Sequence, residues 1–115
     1  MKGAAGVNQK IYSIDEIRET VMPIAKKYKL QGVYIFGSYA RKTANENSDI
    51  DFLIDRENSD VREIIGFMRL YDDLKDAFNK DIDVVTLQSL QQKSTARRSP
   101  EFIQNVTNEM VKIYG

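Results

Sequence analysis

Apolar positions recur along the chain with two different periods, and the switches between them mark out the elements. Ile14, Ile17, Val21, Ile24, Ala25 and Tyr28 follow one another at helical spacing, which predicts an amphipathic helix over residues 14–28. Ser13-Ile14-Asp15-Glu16 ahead of it has the spacing of a capping box. Pro23 should kink this helix or divide it, because proline has no N–H to give. Lys26, Lys27 and Lys29 lie near its end, where cations suit the helix dipole. Val33 to Phe36, bracketed by Gly32 and Gly37, reads as a buried strand, and Ser38 to Lys42 as a helical turn. After a polar loop over 43–48, Ile50 to Ile54 forms a second strand. Asp60 can cap a helix whose core face would be Ile64, Ile65, Met68, Tyr71, Leu74 and Phe78, closed by Asn79-Lys80. Ile82 to Val85 gives a third strand and Leu87 to Lys93 a short helix. Ser99-Pro100-Glu101 opens another helix, with Phe102, Ile103 and Val106 on its apolar side, and Met110 to Tyr114 reads as a final edge strand.

The order α-β-α-β-α-β-α-α-β implies one α/β (α+β) domain, a small mixed sheet with flanking helices, over residues 13–115. Residues 1–12 read as a loose lead-in. Neither an internal repeat nor a low-complexity segment interrupts the pattern.

Composition narrows the chemistry. In 115 residues there is no Cys and no His, which excludes disulfides, thiolate metal sites, Cys nucleophiles and imidazole general bases. Lys plus Arg equals Asp plus Glu at 17 each, so a bulk basic surface for nucleic acid is unsupported. The N-terminus has no apolar signal core, and no apolar run is long enough to span a bilayer. The expectation is a cytoplasmic protein with no membrane partner. By segment the charge is uneven. Residues 26–42 hold Lys26, Lys27, Lys29, Arg41 and Lys42 with no acid, whereas residues 45–60 hold six acids against Arg56 alone.

The acids in that second segment are the first candidates. Alternate side chains of a strand share a face, so Asp49 and Asp51 would project together, ~6–7 Å apart at Cα. Paired carboxylates repel unless a cation lies between them, and Mg²⁺ suits all-oxygen ligands. An isolated Asp-x-Asp is more often a strand start with one solvated acid. What weakens that alternative is Phe36-Gly37-Ser38, ten residues upstream. Gly37 permits close backbone approach, and the Ser38 hydroxyl with the following N–H groups could hold phosphate oxygens at a helix start. A third acid on the next strand would complete a cluster for two divalent ions. Asp81 and Asp83 share a face, so spacing does not choose between them; Asp83 lies within the apolar run and is the better candidate. Arg41 and Lys42 are in reach of phosphate or are simply solvated cations, and for Lys42 the second is favoured. Tyr39 suits packing better than base stacking. Arg97-Arg98 fits a solvated loop, with an acidic partner or the triphosphate as the alternative.

The run from Phe36 to Lys42, followed by Asn47-Ser48-Asp49-Ile50-Asp51-Phe52-Leu53, resembles the signature of the DNA polymerase β-type nucleotidyltransferase superfamily, most closely its minimal nucleotidyltransferases. Lys80 to Val85 is similar to that family's third-carboxylate strand, matching Asp83 to the catalytic acid, and Pro100 to Tyr114 to its closing helix and strand. One departure is Lys42, where the family commonly has Gly. The resemblance implies a polymerase β-like core that transfers a nucleoside monophosphate, AMP from ATP by expectation, to a hydroxyl. It implies two Mg²⁺ ions held by Asp49, Asp51 and Asp83, with Gly37 and Ser38 cradling the β- and γ-phosphates and Asp83 helping to deprotonate the acceptor. Two-metal chemistry needs no imidazole. The minimal group resembles antitoxins of HEPN-domain partners, putting the acceptor on a tyrosine of such a toxin.

The small size supports an acceptor from another chain and predicts an exposed apolar patch for it. Two alternatives stand beside this one. The chain is a non-catalytic antitoxin that neutralises its partner sterically, or it transfers to an aminoglycoside-like small molecule, which usually calls for a further substrate domain.

Overall fold

A computed structural model describes residues 10–61, 63–91 and 100–115. Along the chain run α1 (Ile14–Lys27), β1 (Gly32–Phe36), α2 (Gly37–Arg41), β2 (Ile50–Asp55), α3 (Ile64–Phe78), β3 (Ile82–Thr86), α4 (Leu87–Gln91), α5 (Pro100–Glu109) and β4 (Val111–Tyr114). The four strands form one sheet in the order β3-β2-β1-β4. β1 is antiparallel to both β2 and β4, while β2 and β3 run parallel, joined by α3 as a crossover. The sheet is therefore mixed, with β4 on an edge as expected.

Strand alternation sorts the core into two layers. Val33, Ile35, Ile50, Phe52, Ile54 and Ile82 turn to one face, where Ile17, Val21 and Ala25 of α1 and Leu70, Leu74 and Phe78 of α3 cover them. Phe36, Leu53 and Val85 turn to the other, where Leu90 and Val106 form a smaller cluster. The capping box of α1 is present: Ser13 Oγ accepts from the Glu16 N–H at 3.1 Å, and Glu16 accepts from the Ser13 N–H at 2.9 Å. Ahead of it, the Tyr12 hydroxyl donates to the Phe78 carbonyl at 2.7 Å, and the two rings meet edge to face.

Three expectations need correction. Pro23 does not divide α1, which runs unbroken from Ile14 to Lys27. Pro23 sits on the solvent side, where water can take the carbonyl that its missing N–H leaves free. Asp60 does not cap α3; the helix starts at Ile64 with Glu63 at the N-cap, and the Asp60 N–H instead donates to the Tyr28 carbonyl at 3.0 Å. Nor do Ile64, Ile65 and Met68 face the core: they are 73%, 62% and 58% exposed. The buried stripe runs through Leu70, Leu74 and Phe78. It starts at Gly66, where an added Cβ would collide with the Asp60 carbonyl and lie 3.1 Å from Val61 Cα. α4 is described as far as Gln91; residues 92–93, expected to continue it, lie outside the described residues, as do Ser99, Arg97 and Arg98.

Among the described residues no helix is long and apolar enough to cross a membrane.

Candidate active site

The sheet register assembles the candidates. Phe36 pairs with Asp51 across β1 and β2, and Asp51 pairs with Asp83 across β2 and β3. All three stand in one row on the face that also carries Leu53 and Val85. Apolar packing by α4 and α5 covers part of that face, leaving the acidic row at the end where β1 stops and β2 and β3 begin. Neighbours in such a row face each other directly, so two carboxylates there feel each other strongly.

Gly37 follows Phe36 without a spacer and turns the chain from strand into α2 at φ +72°. Only glycine takes that conformation without strain. A second constraint is steric, since a Cβ at Gly37 would run into Asp51 Oδ2. The Asp51 carboxylate thus lies directly against the backbone that opens α2. Phe36 occupies the N-cap position and has no side chain able to cap it. Ser38 comes next, half-buried, and its carbonyl accepts from the Thr43 N–H at 2.9 Å.

Asp51 is pushed up to about 6 by its burial first, then by Asp83 and Asp49, with Arg41 pulling the other way. That ordering identifies the three charged groups that act on Asp51. Asp49 sits one residue before β2 and is exposed. Among the described residues, no three acidic side chains are drawn closely enough together to hold a metal ion as they stand. Repulsion among facing carboxylates keeps such groups apart when no cation lies between them. Asp81 is further out, 62% exposed at its side chain and 3.6 Å from Lys75 on α3.

The two cations of α2 separate. Arg41 acts on Asp51 while pairing with Glu109, the last residue of α5, at 2.9 Å. Glu109 was not among the sequence candidates, and at 68 positions' separation no local pattern could have found it. Lys42 takes the left-handed C-cap of α2 at φ 62°. It lines a cleft of about 580 Å³ with Tyr39, Ala44, Val111 and the start of α1, and that cleft contains none of the three acids. Tyr39 is buried, as packing requires.

A strand running directly into Gly-Ser at a helix start, packed against the first of two acidic strands, brings backbone N–H groups and carboxylates together. Residues 19–115 match the family described as polymerase beta, nucleotidyltransferase. The chain belongs to that family. Every site residue named above falls within the matched span, including both acidic strands. A provisionally named protein adenylyltransferase of Methanocaldococcus jannaschii is 36% identical over 78 residues, covering 68% of this chain and 82% of its relative. A toxin–antitoxin crystal structure with AMP-PNP contains a chain similar at 25% identity and a TM-score of 0.64, covering 85% of this chain and 73% of that one. A chain in the structure of a tri-AMPylated Shewanella oneidensis HEPN toxin in complex with an MNT antitoxin shares the fold at 21% identity and a TM-score of 0.59, over 89% of this chain and 72% of that one. The mixed sheet with flanking helices is the nucleotidyltransferase fold that the sequence implied.

Proposed function

We propose that residues 13–115 form a transferase domain that moves AMP from ATP to a tyrosine hydroxyl of a HEPN-domain partner and so acts as its antitoxin. The observation that carries this reading is the row in which Phe36, Asp51 and Asp83 stand side by side across three strands, with Gly37 closing on the Asp51 carboxylate and Asp49 and Arg41 acting on it by charge. Family membership supports nucleotidyl transfer. The adenylyltransferase naming of the archaeal relative and the AMPylated toxin bound to an MNT antitoxin support AMP and a protein acceptor. The exposed Ile64, Ile65 and Met68 supply apolar surface of the kind a partner protein covers. The reaction belongs in the cytoplasm, where ATP and Mg²⁺ are supplied together.

In this reading Gly37 lets the triphosphate approach the backbone, while the N–H groups opening α2 and the Ser38 hydroxyl donate to β- and γ-phosphate oxygens. Arg41, placed by Glu109, adds positive charge beside them. Asp83 accepts the proton as the acceptor oxygen bonds to the α-phosphorus; the bond from that phosphorus to the bridging oxygen breaks, and pyrophosphate leaves. Asp49, Asp51 and Asp83 are an all-oxygen donor set suited to two Mg²⁺ ions, which when bound would offset the triphosphate charge and acidify the acceptor hydroxyl. The fit is electrostatic: burial first, and then repulsion from Asp83 and Asp49, raise Asp51, and both disfavour a charge that a divalent cation would offset.

The test is incubation with ATP labelled at the α-phosphate and Mg²⁺, alone and with the HEPN-domain partner. Label should appear on the partner and vanish with Asp49→Ala/Asp51→Ala. Full neutralisation by that double variant with no label anywhere would instead make the chain a steric antitoxin, and label on an antibiotic alone would make it a small-molecule transferase.

A further inference from the structure

We propose that Lys80 is a positioning residue for the carboxylate cluster, clamping together with Asp81 the short segment that carries Asp49. The proposal rests on the assignment of the acids in the preceding section. Lys80 is only 2% exposed, and its ammonium donates to the Glu46 carbonyl at 2.8 Å. Its neighbour Asp81 accepts, at its own carbonyl, the Ile50 N–H at 3.2 Å. Glu46 and Ile50 bracket Asp49, so two adjacent residues hold both ends of the segment between them.

The clamp joins parts that nothing local joins. The turn before Asp49 is shaped from within: the Asn45 N–H donates to Ser48 Oγ at 2.9 Å, the Asn47 N–H to Asn45 Oδ1 at 2.8 Å, and the Ser48 N–H to the Asn45 carbonyl at 3.0 Å. Those bonds define the turn's shape and leave its position against the sheet open. Lys80 sets that position from the lead-in to β3, the strand on which Asp83 stands opposite Asp51. Asp49 lies outside β2 and is exposed, and its repulsion from Asp51 tends to swing it outward. A tether to the third acid's own strand opposes that swing and relates Asp49 to Asp83. Burying an ammonium is costly, and a methionine of similar length would fill the space without that cost. The bond to the Glu46 carbonyl is one that a methionine at position 80 could not make.

Lys80→Met and Lys80→Arg separate positioning from packing. In Lys80→Met, amide hydrogen exchange over residues 46–49 should accelerate about 10-fold. Mn²⁺, followed by electron paramagnetic resonance, should bind about 10-fold more weakly, the usual size of an outer-shell effect. The kcat for AMP transfer should fall about 10-fold with the KM for ATP within about 2-fold, since Gly37 and Ser38 hold the triphosphate from another element. Lys80→Arg, which keeps a donor, should recover all three. Should Lys80→Met not fold, Lys80→Gln keeps a polar tip that falls short of the Glu46 carbonyl and is read by the same measurements. Wild-type exchange and Mn²⁺ binding in Lys80→Met would overturn the proposal. So would equal losses in the Met and Arg variants that track only a lower Tm. A wild-type protein that binds Mn²⁺ and protects residues 46–49, yet labels no acceptor, would sink the transferase reading and leave the clamp standing.

Discussion

Two residues at the ends of α2 share a backbone conformation and differ in how well their side chains suit it. Gly37 enters the helix at φ +72° and Lys42 leaves it at φ 62°. Glycine is at ease there, whereas a β-carbon costs on the order of 1 kcal/mol in the left-handed region. Lys42→Gly should therefore stabilise the protein by about 1 kcal/mol, read as a rise of a few degrees in Tm. Gly37→Ala should do the reverse and more, losing over about 1 kcal/mol, because the new methyl adds a collision with the Asp51 carboxylate to the backbone strain. An unchanged Tm in both variants would mean that the left-handed turns are misplaced. Both positions were partly legible in the chain. Gly37 stands out beside a strand, and Lys42 stands out as the departure from the family's glycine. That the departure sits at a left-handed cap becomes plain only once α2 has an end.

For the elements, α3 shows where periodicity misleads. Ile64, Ile65, Met68, Tyr71, Leu74 and Phe78 fit helical spacing, yet only the later positions pack. The packed stripe is Gly66–Leu70–Leu74–Phe78, spaced by four throughout, with Gly66 against the backbone of Asp60 and Val61 and the other three in the core; its first member has no side chain to reveal it. Apolar patterning cannot see a glycine that serves as a contact. Leu74→Ala should cost about 2–5 kcal/mol by leaving a cavity, while Ile65→Ala should stay within about 0.5 kcal/mol. Chemical denaturation of both variants checks the assignment, and equal losses would return Ile65 to the core. The same comparison bears on the partner, since three aliphatic side chains left in solvent on one helix are surface the fold itself does not use. α1 was read more accurately, because its capping box is local and survives folding unchanged. The exception was Pro23, whose effect depends on which side of the helix faces water.

For the whole molecule, the acidic row makes stability depend on pH against the usual sense for a carboxylate. Asp51 is raised to about 6, so the folded state holds this proton more tightly than the unfolded chain does. That contribution is fully present below the ordinary Asp range of about 4 and is lost as pH rises through about 6. Asp51→Asn removes the titration. In metal-free protein the variant should match wild type near pH 4 and exceed it at pH 7.5, by about 1 kcal/mol once solvent screening of this partly exposed carboxylate is allowed for. Asp73, held low by the Tyr28 hydroxyl and then by Lys27, acts in the opposite sense, losing its contribution as pH falls, but it does so in both proteins and cancels in the difference. Added Mg²⁺ should raise the Tm of wild type more than that of the variant. A difference flat from pH 4 to 7.5 would show that Asp51 feels neither burial nor its neighbours. The sequence by itself determined most elements and the identity of the candidate groups, because helical and strand periods are local and because a chain without His or Cys leaves carboxylates as its reactive donors. Alternation set Asp49 beside Asp51 and Asp81 beside Asp83 as candidates for shared faces, whereas Asp49 and Asp81 lie one residue before their strands. Tertiary structure decided which of these meet: the parallel register sets Asp83 opposite Asp51, Gly37 closes on the same carboxylate, and Arg41 reaches Glu109 while Lys80 reaches Glu46. Register and strand order are contacts between distant parts of the chain, and a period of two or of 3.6 residues carries no information about which distant part will lie alongside.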